Sequence, residues 1–289
     1  MDNEISIIEL QETASTNTFL TNYTPATPSP ITVVTTEYQT AGRGQGTNTW
    51  ESERGKNLLF SIMVHPAALP VTHAFAISEA IALSIRDAIT SLIDELRFFK
   101  CQASPLDERM SDNCRMMNTG CNSYSSIINN KSSIKVKWPN DIYVDNYKIA
   151  GILIENILQG QHIRRSIIGC GVDVNQEEWH QSSIIKPISL RQLLGHDVER
   201  RKVLDTILKL FGCRYEAIQH GDFDALHAEY LAALYRRTGL HPYREAAADA
   251  PVFLAEIADV EPSGHLLLRD ANGHLRRYAF KEVMYIQDL

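Results

Sequence analysis

The segment Tyr38–Ser52, YQTAGRGQGTNTWES, places glycines at 42, 44 and 46 with Arg43 between the first two. Glycine lets a backbone approach a ligand closely and adopt positive φ, both expected here of Gly42 and Gly44. Arginine adds a fixed charge and several donors suited to phosphate or carboxylate. The segment alone fits two readings, an anion-facing loop and a plain hairpin with a surface arginine. In a second stretch, KWPNDIYVDNYKIAGILIEN, Lys137 and Lys148 flank a hairpin and Asn140–Asp141 stand at its opening. Pro139 lacks an N–H and directs a turn. On an alternating strand, Lys148 can point opposite to its apolar neighbours, either into a site or, as is usual for a lysine, into solvent. A third stretch, GCGVDVN, carries Gly169 and Gly171, again a sign of close approach to the backbone. Three stretches that each combine strand, glycine and polar residues suit a small polar ligand held across a sheet.

Two familiar phosphate loops do not fit. No G-x-x-x-x-G-K-[ST] run exists, and the third slot of G-x-G-x-x-G is Thr47. The glycine segment also leads into a strand rather than a helix, which argues against a dinucleotide-binding fold.

The elements around these residues follow from periodicity. ISIIEL, ITVVTTEY and KNLLFSIMVHP read as strands, with ASTN breaking the first and YTPATPSP forming a loop. Ile77, Ile81, Ile85, Leu92 and Leu96 recur at helical spacing and predict a helix over 72–96. Residues 100–133 are rich in Ser, Asn and Cys without periodicity and read as an insertion loop. DIYV and KIAGILIEN form a hairpin around Asp145–Asn146, and a further strand ends in GCGVDVN. A loop into a short helix follows, then two helices, the second with Phe223, Leu226, Tyr230 and Leu234 on one face. From about residue 239 the pattern turns to short strands, with turns at Pro262–Gly264 and Asn272–Gly273.

Composition narrows the class. The chain of 289 residues has room for one large domain and a small one. Its net charge of −7 disfavours bulk binding to DNA or an anionic membrane, though not a local basic pocket. The N-terminus has no basic start or long apolar core, and no apolar run approaches the ~20 residues of a membrane span. The five cysteines form no C-x-x-C pair, and the histidines form no H-E-x-x-H pattern. They read as free thiols in a reducing cytoplasm.

Taken together, Ser15–Asn17 (STN), YQTAGRGQG, Trp50, KWPND, KIAGILIE and GCGVDVN resemble the biotin–protein ligase family in order and approximate spacing. The resemblance runs from about residue 10 to the end, apart from 100–133. It implies an α+β fold: a mixed-sheet catalytic domain over 1–238, like class II aminoacyl-tRNA synthetases, and an SH3-like barrel over 239–289. It implies a two-step reaction. Biotin and ATP, with Mg2+ carried mainly on the nucleotide phosphates, give biotinyl-5′-adenylate and pyrophosphate. The acyl group then passes to one lysine of a biotin carboxyl carrier protein, of acetyl-CoA carboxylase or a related enzyme.

The same resemblance assigns residues. Ser15, Thr16, Asn17 and Gln39 border biotin, with Gln45 nearby. Arg43 and Gly44 lie over the carboxylate and α-phosphate, and Lys148 contacts both as the anhydride forms. Trp50, Asn140, Asp141, Gly171 and Asp173 face the nucleotide, though Trp50 fits core packing equally well, and Asp141 either orients Lys148, helps deprotonate the acceptor lysine or caps a turn. The stretch VNQEEWHQSSIIKPIS takes the place of a loop that closes over the adenylate. A homodimer is compatible with the family. Two positions depart from the pattern: Gln45 stands where many relatives carry arginine, and Asp173 where they usually carry asparagine. A carboxylate there is expected to face a cation, a metal or solvent. No helix-turn-helix precedes the first strand, so the monofunctional type without DNA binding is expected. Two alternatives remain: a lipoate or octanoate transferase of the same superfamily, and a non-enzymatic protein that senses biotin.

Overall fold

A computed structural model describes residues 5–286 except 26, 28, 67, 68, 103–132, 181–185 and 248, with the backbone alone for 96–102. Seven strands form one mixed sheet in the order β1-β2-β3-β7-β6-β5-β4. They are β1 (Ile5–Leu10), β2 (Ile31–Thr36), β3 (Leu58–Val64), β4 (Ile134–Lys137), β5 (Asp141–Val144), β6 (Tyr147–Gln159) and β7 (His162–Val172). Among the described strands of this sheet, β1 and β2 alone form a parallel ladder, because helix α1 (Thr16–Asn22) crosses between them. The sequence predicts no helix at 16–22; the run is too short and polar for a readable period, and its burial comes from tertiary contacts. Leu20 on α1 packs with Val34, Met63 and Ile167 of the sheet.

Every residue of β3 is buried, as its run LLFSIMV requires of a central strand covered on both faces. The opposite face meets α2 (Phe75–Gln102), α4 (Arg200–His220) and α5 (Phe223–Ala233). The predicted helix over 72–96 is thus shifted and longer: residues Val71–His73 form a 3-10 turn, and the helix runs on to Gln102. Most of the expected insertion over 100–133 lies outside the described residues. The short helix α3 (Leu190–Leu194) begins at a capping box, with Ser189 Oγ accepting from Gln192 N and Gln192 Oε1 accepting from Ser189 N. The β5–β6 hairpin turns at Asp145–Asn146 as predicted, with Asp145 at φ 53°.

Residues beyond 239 form a second, antiparallel sheet, in the order β11-β10-β9-β8-β12. Its strands are β8 (His241–Glu245), β9 (Val252–Val260), β10 (Leu266–Asp270), β11 (Leu275–Tyr278) and β12 (Val283–Tyr285). The predicted turns contain Gly264 (φ 90°) and Gly273 (φ 86°). This sheet docks on the first part of the chain through specific contacts. Trp138 Nε1 donates to Gly264 O at 3.0 Å, Arg237 Nη1 to Ile257 O at 2.5 Å, and His227 bridges Glu79 of α2 and Asp259 of β9. Apolar residues of both sheets share one continuous core. Among the described residues no helix is long and apolar enough to cross a membrane.

Candidate active site

The β6–β7 ladder pairs Gly151 with Gly171 and Leu153 with Gly169. Because side chains alternate, Gly151, Leu153 and Glu155 share the face of β6 opposite Ile152 and Ile154. On that face the glycines leave room for other side chains. A Cβ at Gly171 would stand 2.7 Å from Trp50 Nε1 and Cζ2, and one at Gly151 would stand 2.9 Å from Trp50 Cζ3 and 3.2 Å from Lys148 Nζ. A Cβ at Gly169 would meet the amide of Asn17. Close approach was expected of a ligand; here the protein's own Trp50 and Asn17 make it. The Trp50 indole N–H is buried and has no hydrogen-bond partner among the described residues.

The start of α1 fixes one wall. Ser15, Thr16 and Asn17 are buried. Thr16 N and Oγ1 donate to Gln39 Oε1 at 2.8 and 3.1 Å. Asn17 Nδ2 donates to Glu155 Oε2 at 2.8 Å and to Leu153 O at 3.2 Å, and Ser61 Oγ lies 2.6 Å from Asn17 Oδ1. These bonds hold the amide plane rigid over the sheet.

The glycine segment folds back on itself. Trp50 N donates to Gly42 O at 3.0 Å and Gly44 N to Asn48 O at 2.8 Å. The hairpin reading is therefore right for the backbone, and the Gly44 amide is engaged within the loop rather than aimed outward. Gly42 is needed because a Cβ there would stand 2.7 Å from Trp50 O. Positive φ, expected at Gly42 and Gly44, falls instead at Gly46 (φ 68°). The Arg43 side chain leaves the hairpin and pairs with Glu155 at 2.5 Å.

Lys148 forms the opposite wall. Its Nζ lies 2.6 Å from Asp141 Oδ1 and 5.6 Å from the centroid of the Trp50 ring. Its backbone pairs with the segment after β7: Lys148 N donates to Lys186 O, and Ile188 N to Lys148 O, both at 2.9 Å. The C-terminal end of the expected closing loop is thus pinned beside Lys148, while 181–185 lie outside the described residues. Asn140 does not open freely to this face. Its Nδ2 donates to Gln45 Oε1 at 3.0 Å and to Ile152 O at 2.6 Å, fastening the glycine hairpin to β6.

Asp173 differs from expectation. It is only 2% exposed and accepts from the neutral Asn57 amide, whose Nδ2 donates at 2.9 Å, so it does not face solvent. Burial pushes its carboxyl well above the usual range, and the charge of Lys148 only partly opposes this. Lys137, cross-strand from Asp141, donates to Tyr143 Oη at 3.1 Å and lies over the Tyr143 and Tyr285 rings. Burial lowers its pKa.

Of the residues that the resemblance names, Trp50, Lys148 and Asn17 meet the glycines of β6 and β7, and Arg43 meets Glu155 on the same face; Glu155, Ser61 and Asn57 were not among the expected residues. Period two from Gly151 would have put Glu155 on the site face. Ser61 and Asn57 stand in or beside an all-buried strand, where polarity itself is the signal.

The profile described as Biotin/lipoate A/B protein ligase family matches residues 9–173. The "Bifunctional ligase/repressor BirA" of Bacillus subtilis is 27% identical over 194 residues, 66% of this chain and 48% of that protein. "Biotin--protein ligase 2" of Arabidopsis thaliana is 24% identical over 221 residues, 75% of this chain and 54% of that one. The chain thus spans about half the length of the curated relatives it matches. The structure of biotin protein ligase from Aquifex aeolicus, in complex with biotin and ATP, is similar over 98% of this chain and 99% of that one, with a TM-score of 0.69 and 18% identity. With more than half of its residues under that profile, and with the mixed sheet that carries the glycine floor, the chain belongs to the biotin/lipoate A/B protein ligase family.

Proposed function

We propose that this protein is a biotin–protein ligase, which activates biotin with ATP and passes the biotinyl group to a lysine of a biotin carboxyl carrier protein. The observation that carries the reading is the pair of cations, Arg43 and Lys148, at either side of the glycine floor under Trp50. Joining a carboxylate to a triphosphate brings two anions together, and preplaced positive charge lowers that barrier. Each cation is held by a carboxylate, Glu155 or Asp141, and an incoming anion takes over part of that pairing.

In this reading Ser15, Thr16, Asn17 and Gln39 bind the biotin ring, and Arg43, Gly44, Gln45 and Lys148 surround its carboxylate. Trp50, Asn140, Asp141, Gly171 and Asp173 lie toward the nucleotide, Asn140 and Asp173 by holding the hairpin and the strand end in place. The unpartnered Trp50 N–H supports a ligand acceptor at the floor. Mg2+ carried on the nucleotide phosphates would supply charge neutralisation there, beside Arg43 and Lys148. Residues 1–238 act as the catalytic domain and 239–289 as an SH3-like module. The acceptor is the carrier of acetyl-CoA carboxylase or a related enzyme; the protein works in the cytoplasm, where Cys170 and Cys213 remain free thiols, and a homodimer is one form to test by sedimentation.

Labelled biotin or lipoate, ATP and an acyl carrier domain decide between this reading and a lipoate ligase. Biotin should release pyrophosphate and label one carrier lysine, while lipoate should do neither. Use of lipoate in place of biotin, or biotin binding without pyrophosphate, overturns the proposal.

A further inference from the structure

Lys281 belongs to the second sheet, yet it reaches the glycine hairpin. Its Nζ lies 3.5 Å from Gln45 O, and a Cβ at Gly46 would run into it. A glycine at 46 therefore leaves the ammonium its place. Lys281 itself holds φ 68°, a conformation that side chains disfavour. The turn that imposes it is fastened on three sides. Ala279 N donates to Glu282 Oε2 at 2.7 Å, Glu282 N to Ala279 O at 3.1 Å, and Ala246 N to Glu282 O at 2.8 Å. Strain kept in place by surrounding bonds points to a use for the residue it presents.

Charge sharpens the point. Arg43 is paired with Glu155 and Lys148 with Asp141. Lys281 is exposed, and among the described residues no carboxylate lies within 4.0 Å of its Nζ. On the hairpin it meets the Gly46 backbone and the neutral Gln45 carbonyl, the latter at the outer limit of a hydrogen bond. It is thus an ammonium brought to the edge of the candidate site without a counter-ion.

We propose that Lys281 binds the β- and γ-phosphates of the nucleotide, so that the second sheet supplies a cation for the pyrophosphate leaving group. This rests on the ligase reading above. In the activation step the carboxylate oxygen bonds to the α-phosphorus as the bond from that phosphorus to the α,β-bridging oxygen breaks. The bond's electron pair leaves with pyrophosphate, whose growing charge is where an ammonium helps. Lysine suits this role as a compact point charge on a flexible stem.

The test uses the full chain with Lys281→Gln and Lys281→Arg, measuring biotin-dependent pyrophosphate release at varied ATP and varied biotin. A second measurement gives the enzyme preformed biotinyl-5′-adenylate and follows transfer to the carrier. Lys281→Gln should raise KM for ATP about tenfold or more, with KM for biotin and the transfer rate within twofold of the wild type. Lys281→Arg should restore most of the ATP effect. An unchanged KM for ATP overturns the proposal. So does an equal loss in biotin affinity and transfer, which would mean that Lys281 only props the hairpin. Wild-type enzyme that releases no pyrophosphate with biotin would instead sink the ligase reading itself.

Discussion

A side chain on Gly171 would collide with Trp50: its Cβ would stand 2.7 Å from the indole Nε1. The glycine and the tryptophan are far apart in the chain and form one surface, because the 42–50 hairpin lays the indole across the Gly151–Gly171 pair.

Gly171→Ala should therefore push Trp50 off the floor. Overpacking of this kind costs about 1–3 kcal/mol. Titration calorimetry should show ATP binding at least tenfold weaker, with a lowered melting temperature. Wild-type affinity in the variant would mean that the indole position is irrelevant to the ligand.

Arg43→Ala and Lys148→Ala should each slow biotin-dependent pyrophosphate release by about 10² or more, as expected of groups that meet developing charge. Normal adenylate formation by either variant would remove that residue from the chemistry.

The buried Asp173 carboxyl gives a pH signature. Its folded pKa lies above its unfolded value, raised first by burial. Below the unfolded pKa, about 4, both states are protonated and there is no penalty. Above it the unfolded state ionises first, and folding loses stability. Asp173→Asn, which keeps an oxygen for Asn57 Nδ2, should melt higher than wild type at pH 7.5, with the gap closing toward pH 4. A variant less stable by the same margin at both pH values would refute this account.

His227 works in the opposite range. Its hydrogen bond with Glu79 is the main cause that raises its pKa to about 9, with Asp259 adding to it. Burial meanwhile pushes Glu79 up, against the pull of the imidazolium. The stabilisation from the charged imidazole is complete below the unfolded pKa of about 6.5 and is lost as pH rises through about 9. Melting curves from pH 6.5 to 9.5 should fall for the wild type and stay flatter for His227→Gln. Parallel curves would show that the bridge between α2, α5 and β9 does not titrate here.

Much of this molecule was legible in one dimension. The continuous apolar run LLFSIMV, the helical spacing of Ile77, Ile81 and Ile85, and the Asp145–Asn146 turn come from local chemistry, and the structure keeps all three. Helix α1 was not legible, since seven mostly polar residues carry no clear period and are held by Ser61, Gln39 and Glu155 from elsewhere in the chain.

One-dimensional patterns gave the residue types and their spacing, Arg43, Lys148 and the glycines among them. Local preference and periodicity operate over a few residues, so they reach that far. What those residues face depends on the folded arrangement. The pairing of Arg43 with Glu155, the burial of Asp173 against Asn57, and the arrival of Lys281 from the second sheet each join positions more than a hundred residues apart. Such contacts are set by sheet register and by the docking of one sheet on another, which no local pattern encodes.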